Sequence, residues 1–277
     1  LNGKTTVAVD LTNVTALAGS SLSDLETFAS AVNANEFSND SGLTTIAVTD
    51  TTIDATTLAS TIDSYDGING GGTTDMTLAS GATINVDAGE ITAMLADESL
   101  GRLTIADQAI TVNSAATISV DTANLLKATT TGVVTASIAT TESVSELNTL
   151  TGTNGAYTIV VASGDATSTT AAQLNTLNGK TTVAVDLTNV TALAGSSLSD
   201  LETLASSITA NEFSNDSGLT TIAVTDTTID ATTLASTIDS YDTISAGITD
   251  MTLASGATIN VDAGEITEML ADESAGR

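Results

Sequence analysis

A long internal repeat constrains this chain more than any other feature of its sequence. The string LNGKTTVAVDLTNVTALAGSSLSDLET stands at Leu1 and again at Leu177. Residues 177–242 follow residues 1–66 at an offset of 176. One residue is lost near Gly72, after which Met251 matches Met76 at an offset of 175. Ten substitutions separate the copies over 101 aligned residues. A fixed long period marks an array, in which each unit buries its apolar face only against its neighbours. The expected organisation is one long repeat over 1–176, made of about six β/α coils. A partial second copy over 177–277 joins it in one continuous solenoid. Neither end carries an atypical polar cap, so the chain reads as a window of a longer array or as a subunit docking end to end.

Shorter units lie inside the long one. Apolar, β-rich cores fall at 7–9, 46–48, 76–78, 110–112, 134–138 and 159–161, and recur at 183–185, 222–224 and 251–253. Each opens with alternation, as in Thr45-Ile46-Ala47-Val48, which predicts a half-buried strand. A polar corner follows at Asp10, Asp50, Ser80, Asn113 or Ser163. A second apolar step comes next, such as Thr52-Ile53, Ile84-Asn85-Val86 or Ile118-Ser119-Val120.

Helix start signals come next. Asp54, Asp87, Asp121, Ser143 and Thr170 occupy expected N-cap positions, and Glu90, Glu146 and Gln173 complete capping-box patterns. An apolar residue follows in each case: Leu58, Ile91, Leu125, Leu147 and Leu174. Ile53, Val86 and Val120 are expected to staple onto Leu58, Ile91 and Leu125. Leu22, Leu25, Ala29 and Val32 share one helical face, as do Leu58, Ile62 and Tyr65. Helices of two to three turns rich in Ser and Thr need stacked neighbours to persist. Gly-rich or polar segments such as 39–42, 67–72 and 151–155 return the chain. The fold class expected is an α/β repeat, a parallel β/α solenoid with short capped helices on one side. An all-β solenoid is the alternative, favoured by alternating Thr and opposed by the caps.

Composition narrows the function. The chain is 41% hydrophobic, which suffices for a core, but only 2% aromatic, with no Pro, Cys, His or Trp. Its core must be a thin one of Ala, Val, Ile, Leu and Thr. Thirty-four acidic residues against five basic give a net charge of −29. That excludes a nucleic-acid footprint and repels anionic membrane surfaces. No apolar run has membrane length, so direct membrane insertion is not expected. Without Cys there is no disulfide and no thiolate metal site, which suits an exported bacterial protein.

Carboxylates are so abundant that pairs such as Asp97 with Glu98, or Asp63 with Asp66, are inevitable. No His or Cys supports them, and both copies carry the same carboxylates, so catalysis has no unique place and no enzyme is expected. Calcium is the better candidate. Asp10, Asp50 and Asn113, with the second-copy residues Asp186 and Asp226, would offer an oxygen-lined ladder along one strand edge. The stricter calcium loop signatures are missing. The competing reading makes these turn residues that hydrogen-bond the local backbone. Thr-rich strands raise a further possibility, a flat face for ice or surface polysaccharide. Phe28 becomes Leu204 in the second copy, which suits packing better than sugar stacking.

Two stretches, 170–186 (TAAQLNTLNGKTTVAVD) and 43–63 (LTTIAVTDTTIDATTLASTID), carry a family resemblance. They resemble repeats of giant repetitive bacterial cell-surface proteins, notably the marine cyanobacterial type associated with swimming. The resemblance spans nearly the whole chain and rests on composition and unit order. It implies an extracellular, cell-attached fibre, surface coat or S-layer-like role, and it transfers no binding residue. The function expected is structural: a fibre, coat or adhesin stalk whose partners are copies of itself, end to end or laterally. The alternative is an adhesin or an ice- or polysaccharide-binding module that uses the strand face.

Overall fold

A computed structural model describes residues 2–68, 74–245 and 250–276. The protein is α/β, with parallel strands alternating with helices and no closed sheet. The helices are α1 (Leu22–Asn33), α2 (Ala55–Ile68), α3 (Ile91–Ser99), α4 (Val120–Thr129), α5 (Val144–Leu147), α6 (Ala171–Asn178), α7 (Leu198–Thr209), α8 (Ala231–Ser245) and α9 (Ile266–Ala275). They occupy the segments that an all-β chain would extend, so that alternative is set aside. Two compact units divide the chain: Leu1–Thr117 with Leu125–Ala136, and Ile118–Asn124 with Ser137–Arg277.

In the first unit, strands Ala16–Ser20, Thr45–Val48, Asp75–Thr77 and Leu103–Thr104 form one parallel sheet. Ile46 lies opposite Leu17 on one side and Met76 on the other, and Met76 lies opposite Leu103. A second parallel run stacks Thr52–Asp54, Thr83–Val86 and Ala109–Val112, aligning Ile53, Ile84 and Ile110. Apolar residues thus stack on apolar ones, and all of these are buried except Leu17, which is half-buried. The alternating pattern works as expected: in Thr45–Val48 the buried positions are Ile46 and Val48. A strand period of two puts every second side chain on the core face.

The second unit repeats this arrangement. Strands Ala192–Ser196, Thr221–Val224 and Asp250–Thr252 form one parallel sheet, and Thr228–Asp230 pairs with Thr258–Asn260. The registers match the first copy residue for residue, with Ile222 facing Leu193 and Met251.

The helices hold to the expected faces where the cap was placed correctly. Leu22, Leu25, Ala29 and Val32 are buried, as are Leu58, Ile62 and Tyr65. Ser143 and Thr170 each complete a capping box, with Glu146 and Gln173. Asp54 Oδ1 accepts from the Thr57 backbone N–H at 3.0 Å, as an N-cap should.

Two caps differ. Helix α4 opens at Val120, and the hydroxyl of Ser119, not Asp121, accepts from the Thr122 N–H. That two-residue advance turns the helix so that Ala123 and Leu126 are buried while Leu125 is 58% exposed, and no staple forms there. Asp87 belongs to a turn before α3: its N–H donates to Glu90, and the helix starts only at Ile91. The helices are also longer than expected in places, with 14 residues in α2 and 15 in α8, about four turns each.

Helix α1 ends in a Schellman motif. The N–H of Asn35 donates to Val32 and that of Glu36 to Ala31, with Asn35 left-handed at φ 58°. The second copy repeats it with Asn211 and Glu212. Strand Ala16–Ser20 was not expected. It bulges between Leu17 and Ser20, where a Cβ on Gly19 would lie 2.7 Å from the Thr49 methyl. Gly195 meets Thr225 at the same distance. The 110–112 segment was expected as the opening strand of a unit. It instead pairs with Thr83–Val86 and so belongs to the second run of strands. Of the expected return segment 67–72, residues 69–72 lie outside the described residues.

Candidate functional site

The five expected cation ligands have separate tasks. Asp10 is exposed, and its Oδ1 accepts from the Thr12 hydroxyl at 2.6 Å, the Thr12 N–H at 2.9 Å and the Asn39 side-chain amide at 3.0 Å. These donors, the Thr12 hydroxyl foremost, hold its pKa down to about 2. Asp186, its counterpart, binds the Thr188 N–H and hydroxyl at 2.8 and 2.6 Å. Partial burial pushes that carboxyl up, but the Thr188 and Asn215 hydrogen bonds outweigh it, and the pKa falls below the usual range.

Asp50 and Asp226 act as caps delivered from the following β-α segment. Asp50 accepts from the Leu22 N–H at 2.7 Å and Asp226 from the Leu198 N–H at 2.8 Å, each 28 residues back. These N–H groups sit at the first position of α1 and α7, where no intrahelical acceptor exists. Asn113 accepts from the Ala115 N–H at 3.1 Å and donates to Asp87 at 2.9 Å. Among the described residues, no group of three or more acidic side chains is placed to hold a metal ion.

The same forward capping recurs at α4, α5 and α6. Val120 N–H donates to Glu142 at 3.2 Å, Val144 N–H to Asp165 at 2.8 Å and Ala171 N–H to the Ser196 hydroxyl at 2.9 Å. Each acceptor lies one segment downstream, by 22, 21 and 25 residues. An asparagine series runs in the same direction. Asn124, Asn148 and Asn175 donate to the carbonyls of Thr149, Gln173 and Asp200, each 25 residues ahead.

Buried tyrosines extend the pattern. Tyr65 Oη donates to the Leu25 carbonyl at 3.0 Å and Tyr241 Oη to the Leu201 carbonyl at 2.9 Å, each spanning 40 residues. Both phenols are fully buried, and burial pushes their pKa values well up. Tyr65 also packs near Phe28, with ring centroids 6.4 Å apart. Leu204 fills the Phe28 position in the second copy.

The expected carboxylate pairs resolve similarly. Asp63, Asp66 and Asp97 all surround Arg102; Asp63 and Asp97 lie 2.8 Å from its guanidinium. Burial raises the Asp97 pKa, and Arg102 opposes that rise. This is one ion-paired knot tying the α2 and α3 segments together. The hydrogen bonds that span segments were missed from the sequence because their donors and acceptors lie 20 to 40 residues apart. The signal available was recurrence: Asp50 and Tyr65 return as Asp226 and Tyr241.

No helix among the described residues is long and apolar enough to cross a membrane. No protein-family model matches the chain, and neither the curated proteins nor the solved structures yield a match.

Proposed function

We propose that this chain is a structural repeat protein of the cell exterior, a parallel β/α solenoid that supplies length to a fibre, coat or adhesin stalk. One observation supports this above the rest. The contacts joining neighbouring segments are reproduced in both copies, as in Asp50–Leu22 with Asp226–Leu198 and Tyr65–Leu25 with Tyr241–Leu201. An interface that recurs with the period of the sequence adds length without enlarging the core. The acidic surface keeps such arrays hydrated and apart. The likeness to giant bacterial surface proteins, carried by 43–63 and 170–186, agrees with an extracellular setting.

The test is to lengthen the chain. Inserting a further copy of residues 1–176 should leave circular dichroism per residue unchanged and add about 29 Å in electron micrographs. That figure is six strand layers at about 4.8 Å each. A particle that grows in all directions, or an insert that fails to order, would defeat the reading.

A further inference from the structure

The chain has two arginines, Arg102 and Arg277, and they hold the same position of the long repeat. The carboxylates that surround the first also recur in the sequence: Asp63, Asp66 and Asp97 return as Asp239, Asp242 and Asp272. With five basic residues against 34 acidic ones, few carboxylates can meet a cation at all, and here three share one.

The three reach Arg102 from two helices. Asp63 and Asp66 stand on α2 and Asp97 on α3, while Arg102 lies just before strand Leu103–Thr104. Asp63 meets one terminal guanidinium nitrogen and Asp97 the other, each at 2.8 Å, and Asp66 meets Nε. Three negative charges around one positive leave negative charge in excess. The three carboxylates differ in their surroundings. The Asp63 side chain stands mostly in water, which solvates its charge. Asp66 is largely covered, but it also accepts from the Thr74 N–H at 3.2 Å. Asp97 is buried, and among the described residues its side chain accepts from Arg102 alone. A buried carboxylate with one donor and two like charges beside it is the least stable charge of the three. Burial holds its carboxyl above the usual carboxylate range; Asp63 and Asp66 add to that rise and Arg102 opposes it. Helix α3 packs against α2 and against strand Leu103–Thr104, which carries no charged residue. Asp63, Asp66 and Arg102 are therefore the charged groups that Asp97 faces.

We infer that this cluster is an acid-tightened clasp: one proton taken up at Asp97 draws α3 more firmly against α2. Protonation cancels one of the excess charges, and Asp63 and Asp66 still hold the guanidinium. The neutral carboxyl can still accept from Arg102. The sign is opposite to that of a simple ion pair, which acid breaks. The stability Asp97 contributes is complete below its unfolded pKa of about 3.9 and is lost as pH rises through its higher folded value. Arginine keeps its charge throughout, so the carboxylates alone set the response. The sequence supplies the same four residues in each copy of the long repeat, so an array would tighten along its length. This regulation goes beyond the structural role proposed above and does not depend on it.

The test is native-state hydrogen exchange of the full chain between about pH 7 and pH 4, corrected for intrinsic exchange, with α3 read against α1. Protection of α3 should rise severalfold as pH falls. Helix α1, whose first N–H leans on the charged Asp50, should not follow it. Asp97→Asn, a neutral isostere, should show the acid level of α3 protection already at neutral pH and lose the pH dependence. Carboxyl NMR on the unaltered chain should place the Asp97 midpoint above the unfolded value of about 3.9. Protection of α3 that falls with acid would overturn the inference. So would an Asp97→Asn chain that keeps the original slope, or an Asp97 midpoint at or below about 3.9. Should the variant fail to fold, the slope and the midpoint of the unaltered chain still decide.

Discussion

Replacing Tyr241 separates what its hydroxyl contributes from what its ring contributes. The side chain is fully buried on α8, and its hydroxyl donates to Leu201 on α7, 40 residues earlier. Tyr241→Phe removes that hydrogen bond and leaves the ring. The Leu201 carbonyl lies inside α7, where the helix ladder already supplies it a donor, so the loss should be that of one net hydrogen bond, about 1 kcal/mol. Tyr241→Ala also removes the ring from a packed site, and its cost should reach about 3–5 kcal/mol. Arrays can lose two-state behaviour, so urea unfolding should be paired with native-state hydrogen exchange on α7 and α8. The hydroxyl's effect should be confined to those two helices. The twin change Tyr65→Phe should cost the same within about 0.5 kcal/mol and act on α1 and α2. Equal costs for the Phe and Ala variants would refute this account, as would a Tyr241→Phe effect at α1 and α2.

The chain has three tyrosines, Tyr65, Tyr157 and Tyr241, all fully buried. Their phenols are favoured neutral in the folded state, so the stability they contribute is complete below the unfolded pKa near 10 and is lost as pH rises above it. Phenolate absorbance near 295 nm should therefore appear only together with loss of helical signal; tyrosines titrating in a folded chain would contradict this. Asp10 carries the opposite sign. Its folded pKa of about 2 lies below the unfolded value near 3.9, so its contribution is present above about pH 4 and fades as pH falls towards 2. Carboxyl NMR should place its midpoint near 2, and Thr12→Val should move it upward. Gly132→Ala should destabilise strongly, because its Cβ would lie 2.3 Å from the Gln108 carbonyl oxygen. Gly67→Ala, in α2 with no atom within 4 Å, should instead add about 0.5–1 kcal/mol. Because the five expected ligands already accept or donate hydrogen bonds within the fold, calcium and magnesium at equal ionic strength should shift melting alike. A single selective site held at a hundred times its Kd would add about 2.7 kcal/mol and show clearly.

The strand columns and most helix faces could be read from the sequence because they rest on local periods. Ile46 with Val48, and Leu22 with Leu25, announce their burial by spacing alone. Capping boxes at Ser143 and Thr170 were legible for the same reason. At α4 two candidate caps, Ser119 and Asp121, stood two residues apart, and local pattern favoured the wrong one. Only burial of Ala123 and Leu126 decides between them. Strand Ala16–Ser20 escaped notice because Ala-Leu-Ala-Gly-Ser has one large apolar residue and owes its extension to pairing with Thr45–Val48. Composition shows charge but not direction, so the hydrogen-bond partners of the carboxylates were not legible. Asp50 and Asp226 aim at helix N–H groups in the preceding segment, which no local window contains.

These backward-reaching bonds impose an order on folding. The first N–H of α1 waits for Asp50 and the Leu25 carbonyl for Tyr65, 28 and 40 residues later. A chain threaded from its N-terminus through a narrow channel therefore cannot complete the contacts of α1 until Tyr65 has emerged, nor those of α7 until Tyr241 has.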